Sequence, residues 1–254
     1  MSSIIEMPEL VLENIIEFLD FRSVLTLRQV CRDFRNFIDD LNDLKLPDSK
    51  FSSISWIVKN DIRMKFGTDG RLYRFVYSKS DNSRSLNGKK AVLENSNILD
   101  VAIRDLEFVL KFQKSTLREF HFLDHQLSNN LTFPNLHVKL GSMFKKLNRK
   151  IKTGVLSMES DSQSGFMSIL PIADAETLET LALFPLDVNM DIEMDEIVKT
   201  EQWRKAKYIF CNFYALNMKV EDMCDFPRLY LKWLSISARD LDFLKKVLNI
   251  KLKN

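Results

Sequence analysis

The chain has 254 residues, 45% of them hydrophobic and 28% charged, with a formal net charge of +2. This fits one or two globular domains, and the near-neutral charge argues against a general nucleic-acid or membrane footprint. Six glycines speak against a phosphate-cradling protein, and nineteen phenylalanines speak for a substantial core. The first predicted unit is MPELVLENIIEFLDFRSVLTLRQVCRDFRNFI, Met7 to Ile38. Pro8 suits the first turn of a helix, where its missing N–H costs nothing. Leu12, Ile15, Ile16 and Leu19 follow at i, i+3, i+4 and i+7 and form one helical face. Ser23 is the expected cap of a second short helix carrying Val24, Leu25 and Leu27. Val30, Phe34, Phe37, Ile38 and Leu41 continue the spacing into a third. Three helices in about forty residues are too few to bury these side chains among themselves. The surplus packs either on the rest of the chain or on another protein.

The stretch resembles an F-box. That pattern opens Leu-Pro-x-Glu, continues Ile-Leu-x-x-Leu and closes Val-Cys-[Arg/Lys]-x-[Trp/Phe]. Here those places hold Met7-Pro8-Glu9, Ile15-Ile16-Glu17-Phe18-Leu19 and Val30-Cys31-Arg32-Asp33-Phe34. Met7 stands for the usual Leu and Phe34 for the usual Trp, both apolar. The whole chain is also similar to the large nematode family that joins an F-box to an FTH domain, through diffuse apolar pattern and not a sharp motif. The resemblance implies that Pro8, Leu12, Ile15, Ile16, Leu19, Leu25, Leu27, Val30 and Phe34 bind a Skp-type adaptor and, through it, a cullin.

Asp39 to Lys50 is polar and acidic and reads as a linker. Beyond it the period changes. Ile54, Trp56 and Val58 alternate, as do Ile62, Met64 and Phe66, and less strictly Leu72, Phe75 and Tyr77. Gly67-Thr68-Asp69-Gly70 and Asn87-Gly88 are hairpin signals. A small antiparallel sheet is therefore expected over 51–94, with a polar loop from Ser78 to Ser85. From Ile98 the helical period returns, with Leu99, Ala102, Ile103, Leu106, Val109 and Leu110 on one stripe. An apolar-x-x-apolar-x-apolar pattern then recurs at Leu117/Phe120/Phe122, Leu178/Leu181/Leu183, Ala206/Ile209/Cys211 and Leu231/Leu234/Ile236, with a degenerate copy at Thr153/Leu156/Met158. The first step is 36 residues and the later ones are 25, 28 and 25. Helical segments are expected between the copies, at 137–147, 165–175 and 195–205, and after the last at 239–248. One strand plus one helix at this period is the signature of a leucine-rich-repeat-like solenoid.

Catalytic and metal chemistry find little support in these residues. His121 and His125 are four apart, but His121 lies in a strand-like copy, where i and i+4 do not converge as metal ligands. Asp187-Val188-Asn189-Met190-Asp191 opens like a calcium loop, but Ile192 and Val198 occupy the places that need Gly and Glu. The acidic group there reads as a solvated loop before a helix N-terminus. Cys31, Cys211 and Cys224 are far apart with no C-x-x-C pair, which suits a reducing compartment. There is no G-x-x-x-x-G-K, G-x-G-x-x-G or G-x-S-x-G. Lys145, Lys146, Arg149, Lys150 and Lys152 form a basic run, read either as a nuclear or RNA-contacting signal or as the charged end of a helix. No apolar run approaches a membrane span, and the N-terminus carries no secretory signal.

The expectation is an α+β protein in which a three-helix F-box (4–42) and a linker (43–50) precede an FTH-like domain (51–254). Within that domain, antiparallel strands occupy 51–94 and strand–helix repeats of the solenoid occupy 98–254. The resemblance implies a non-enzymatic substrate-recruiting adaptor of an SCF-type ubiquitin ligase, without metal or cofactor. It would bind an unknown target protein through the C-terminal domain and reside in the cytoplasm, the nucleus or both. The alternative is a scaffold that binds a partner, for example an RNA-regulatory protein, without directing degradation. Neither reading has a membrane or nucleic-acid ligand.

Overall fold

The computed structural model describes residues 6–68, 70–126, 133–187, 189–223, 226–232 and 235–251, the last five of these by backbone alone. Three short helices come first: α1 (Glu9–Glu17), α2 (Phe21–Leu27) and α3 (Arg32–Asp40). The cap of α2 is Asp20, not Ser23: the Asp20 carboxylate accepts the Ser23 backbone N–H at 2.7 Å. A carboxylate there also meets the positive end of the helix, so aspartate outcompetes serine. The segment after α3 is more than a linker. It forms a 3-10 turn at Asp43–Lys45, and Leu41 and Leu46 are buried in the main core.

The antiparallel strands are β1 (Ser53–Val58), β2 (Asp61–Thr68), β3 (Arg71–Ser78), β4 (Ser83–Leu86) and β5 (Lys89–Val92). Gly67 is required in the β2–β3 hairpin, because a Cβ on it would lie 1.9 Å from the Arg71 carbonyl oxygen. Asn87 and Gly88 both have positive φ, as a two-residue hairpin turn of this hand demands. The expected loop over 78–85 shrinks to 79–82. The polar residues flanking it belong to paired strands, where Arg84 reaches Asp105 at 2.6 Å and Ser83 is buried.

Helix α4 (Ile98–Phe112) is capped by Asn97, which accepts the N–H groups of Leu99 and Asp100. Its predicted stripe is buried throughout. Strand β6 (Leu117–Asp124), helix α5 (Leu136–Leu147), strand β7 (Thr153–Glu159), helix α6 (Gln163–Ile169) and strand β8 (Thr180–Phe184) follow. The helix expected over 165–175 ends at Ile169 in a 3-10 turn carrying Pro171. Strand β9 (Asp191–Glu193) is three residues long. The helix expected over 195–205 is divided: a 3-10 turn at Ile197–Lys199 gives way to α7 (Glu201–Lys205) because Thr200 caps a new start. Strands β10 (Tyr208–Leu216) and β11 (Arg228–Lys232) and helix α8 (Ala238–Lys251) complete the described order.

The antiparallel part is not a separate small sheet. All eleven strands join one mixed sheet in the order β11-β10-β8-β7-β6-β1-β2-β3-β4-β5, with β9 beside β10. Strand β1 makes this possible, being antiparallel to β2 and parallel to β6. The register explains the apolar repeat. Ile54, Phe120, Leu156, Leu181 and Ile209 are successive cross-strand partners in one row, and Trp56, Phe122, Met158, Leu183 and Cys211 are partners in the next. Phe51/Ile54/Trp56 is therefore a further copy of the pattern, which the sequence reading overlooked. The last copy also moves. Leu229 and Leu231 pair with Ile209 and Cys211, so the pattern there begins at Phe226, not Leu231. The expected Leu234 lies outside the described residues. The apolar rows face a single core that also takes in Ile16, Phe21, Val24 and Ile38 from the N-terminal helices.

Candidate partner-binding site

The three N-terminal helices are held from behind. Phe21 enters an aromatic cluster edge-on, with its ring centroid 5.1 Å from Phe51 and Phe112 and 5.8 Å from Phe66 and Tyr73. Arg28 grips Asp39 with two hydrogen bonds of 2.6 and 2.7 Å, tying α2 to α3, and its guanidinium lies 4.5 Å from the centre of the Phe108 ring. A polar latch follows. Asp48 accepts the N–H groups of Lys114 at 3.0 Å and Ser115 at 3.3 Å. Burial works against its charge, but these bonds and one from Lys50 outweigh burial and hold the carboxyl below its usual range. Buried Gln113 bonds both backbone groups of Phe51.

The nine residues singled out by sequence fall into three groups. Leu12, Ile16 and Phe34 are buried within this chain. Ile15, Leu19, Leu25 and Leu27 are half-buried, and Pro8 and Val30 are exposed. The structure adds residues that sequence reasoning missed: Phe18 is 90% exposed, Leu10 64%, and Met7 and Val11 are also open. A signal for them existed. Val11 and Phe18 are seven apart and Met7 and Val11 four apart, a second apolar stripe on the far side of α1. Val30, at 65% exposure, is a further apolar side chain left open on these helices. Between α1 and α3 runs a groove of about 620 Å³ rimmed by Glu9, Glu13, Asp33 and Asp40.

The histidines are each engaged with a carboxylate: His121 with Glu119 at 3.0 Å, His125 with Glu159 at 2.8 Å and His137 with Asp124 at 3.0 Å. Among the described residues no three metal-ligating side chains converge, and no helix is long and apolar enough to cross a membrane. Cys31 is exposed at the N-cap of α3, where its sulfur accepts the Phe34 N–H at 3.5 Å. Cys211 is buried, which raises its thiol pKa; Cys224 lies outside the described residues. Much of the basic run is spent internally. Arg149 donates to the carbonyls of Gln113 and Leu110, Lys150 to that of Pro171, and Lys146 pairs with Glu107.

Two family models match the chain: the F-box domain over residues 4–46 and the FTH domain over residues 134–253. Neither of these covers 47–133, which holds the antiparallel strands and α4. No curated protein and no solved structure is similar enough to count as a match.

Proposed function

Because this chain is an F-box protein with a C-terminal FTH domain, we propose that it is a substrate-recruiting adaptor of an SCF-type ubiquitin ligase. It binds a Skp-type adaptor, and through it a cullin, by the F-box, and it holds a target protein on the remainder of the chain. It does no chemistry itself. It raises the effective concentration of a target lysine near an activated ubiquitin held elsewhere in the complex. In this reading the F-box spans 4–42, 43–50 joins it to the next part, and 51–254 forms a leucine-rich-repeat-like module in the cytoplasm or nucleus.

The observation that carries the proposal is the exposure of the apolar side chains of Met7, Leu10, Val11, Phe18 and Val30 on helices that bury Ile16, Phe21, Val24 and Ile38 in the main core. Beside them, Pro8, Ile15, Leu19, Leu25 and Leu27 supply further contact. Leu12, Ile16 and Phe34 set the helix positions from within. The test is co-purification of the full chain with a Skp-type adaptor. Phe18→Asp with Val30→Asp should weaken binding at least about thirtyfold, the loss of one interface anchor of 2 kcal/mol or more. The melting temperature should not change, since both side chains face solvent. Absence of adaptor binding by the wild type would end the ligase reading, and undiminished binding by the double variant would move the interface elsewhere.

A further inference from the structure

A second groove, of about 640 Å³, lies where α2 meets the sheet. One wall is α2 itself, which presents Arg22, Leu25 and Thr26 at i, i+3 and i+4. The other wall is the start of β3 with the turn between β4 and β5. There Leu72 is 46% exposed, and Tyr73 and Leu86 are half-buried. Both walls are fixed from within the chain. Tyr73 packs edge-on against Phe21 of α2, with ring centroids 5.8 Å apart. Asn87 pins the turn to β3: its side-chain oxygen accepts the Arg74 N–H at 2.8 Å, and its own N–H donates to the Arg74 carbonyl at 2.8 Å. A surface already in shape loses little freedom on binding.

The groove is basic. Arg22, Arg71 and Lys89 are exposed along it, and among the described residues no carboxylate lines it. Arg22 and Lys89 enter no ion pair and no side-chain hydrogen bond among the described residues. Arg71 reaches Asp20 only at 3.8 Å, with both side chains more than half exposed, an arrangement worth little in water. That carboxylate is also committed to capping α2 through the Ser23 N–H. Among the described residues that line the groove or pair with its cations, one carboxylate therefore faces three positive charges. Potentials across an interface are complementary. The fitting occupant brings carboxylates to the three cations and an apolar side chain to Leu25 and Leu72.

Leu25 names the molecule that carries them. It lines the groove and is also one of the residues through which the F-box resemblance implies contact with a Skp-type adaptor. Any other occupant would compete with that adaptor for the same side chain. Resting on the reading of this chain as a Skp-binding F-box protein, we infer that the Skp-type adaptor reaches past the F-box onto the sheet, laying an acidic segment in the groove between α2 and the β3–β5 hairpins. The sheet residues of this contact, Arg71, Leu72 and Lys89, lie between the two family-model matches, so neither model contains it. A partner seated on both α2 and the sheet gives the sheet, and any target held by it, a set orientation towards the rest of the ligase.

The test measures the Kd of the full chain for a Skp-type adaptor by biolayer interferometry. Arg71→Glu with Lys89→Glu, and separately Leu72→Asp, should each weaken binding at least about tenfold, the loss of roughly 1.4 kcal/mol. Arg71→Ala with Lys89→Ala should weaken it in the same direction by less. Added salt should weaken the wild type more steeply than the Glu pair, because the pair has already lost the screened attraction. Thermal melts establish that each variant is folded. Where one is not, the wild-type chain decides: a carbodiimide, which joins an amine to a touching carboxylate, should link Lys89 to an Asp or Glu of the Skp-type adaptor. Lys90, paired with Asp81, should link within the chain instead. Unchanged affinity in the folded variants would overturn the inference, and if Phe18→Asp with Val30→Asp still abolishes binding, the F-box reading stands. The inference also falls if light scattering shows dimers of this chain that the Glu pair splits while its adaptor binding is unchanged, since the occupant is then a second copy. A wild-type chain that binds no Skp-type adaptor would overturn both.

Discussion

Asp48 shows how one side chain holds the N-terminal helices to the rest. Its carboxylate gathers N–H groups from Lys114, Lys50 and Ser115, two of them more than sixty residues away. Its pKa is lowered in the folded state, so its contribution to stability is present above the unfolded carboxylate pKa and is lost as pH falls through the folded one. Asp48→Asn should therefore destabilise the chain by about 1 kcal/mol at neutral pH. In urea unfolding the gap from wild type should narrow as pH drops from about 5 towards 3. A gap independent of pH would mean that packing, not charge, is what Asp48 supplies. Little of this was legible in the sequence, where Asp48 stands in a polar stretch that reads as a linker. The partners of a hydrogen-bonded carboxylate are set by the fold, not by neighbouring residues. Leu12, Ile16 and Phe34 show the same limit. Periodicity marks them as apolar and one-sided, but only the fold decides that they turn inward while Phe18 turns out.

Among the elements, the strands were the most readable. Period-two alternation marked β1, β2 and β3, and the recurring apolar triplet marked β6, β7, β8 and β10, because each turns its large apolar side chains to one side. Helix ends were less so, since Thr200 and Pro171 interrupt stretches whose apolar spacing alone reads as continuous. The last triplet was misplaced by five residues because Leu229, Leu231 and Leu234 offer two equally good frames, and only pairing with β10 chooses between them. Leu181 tests the row directly. It is fully buried between Leu156 and Ile209, so Leu181→Ala should cost roughly 2–5 kcal/mol in chemical denaturation. Ala182, its neighbour on the open side, should accept Ser with a change of about 0.5 kcal/mol or less.

At the scale of the molecule, the F-box and the sheet share one core, which the change of period near residue 45 did not reveal. Such a change reports where helices give way to strands; it says nothing about whether their apolar sides meet. Residues 51–254 expressed alone should still melt cooperatively, but below the full chain. Without Phe21, the rings of Phe51, Phe66, Tyr73 and Phe112 are left uncovered. Phe21→Ala in the full chain should reproduce most of that loss, roughly 3–5 kcal/mol. Equal melting temperatures for the fragment and the full chain would show the two parts to be energetically separate. The Phe21 cluster also bears on synthesis. The helices leave the ribosome first, yet the rings that seat Phe21 are complete only once Phe112 has been made. At 5–20 residues per second this takes roughly ten seconds, during which the nascent F-box carries apolar side chains on both sides. A chain stopped before α4 would present its partner-facing residues on helices with nothing to hold them in place, leaving the fragment to chaperones and proteases.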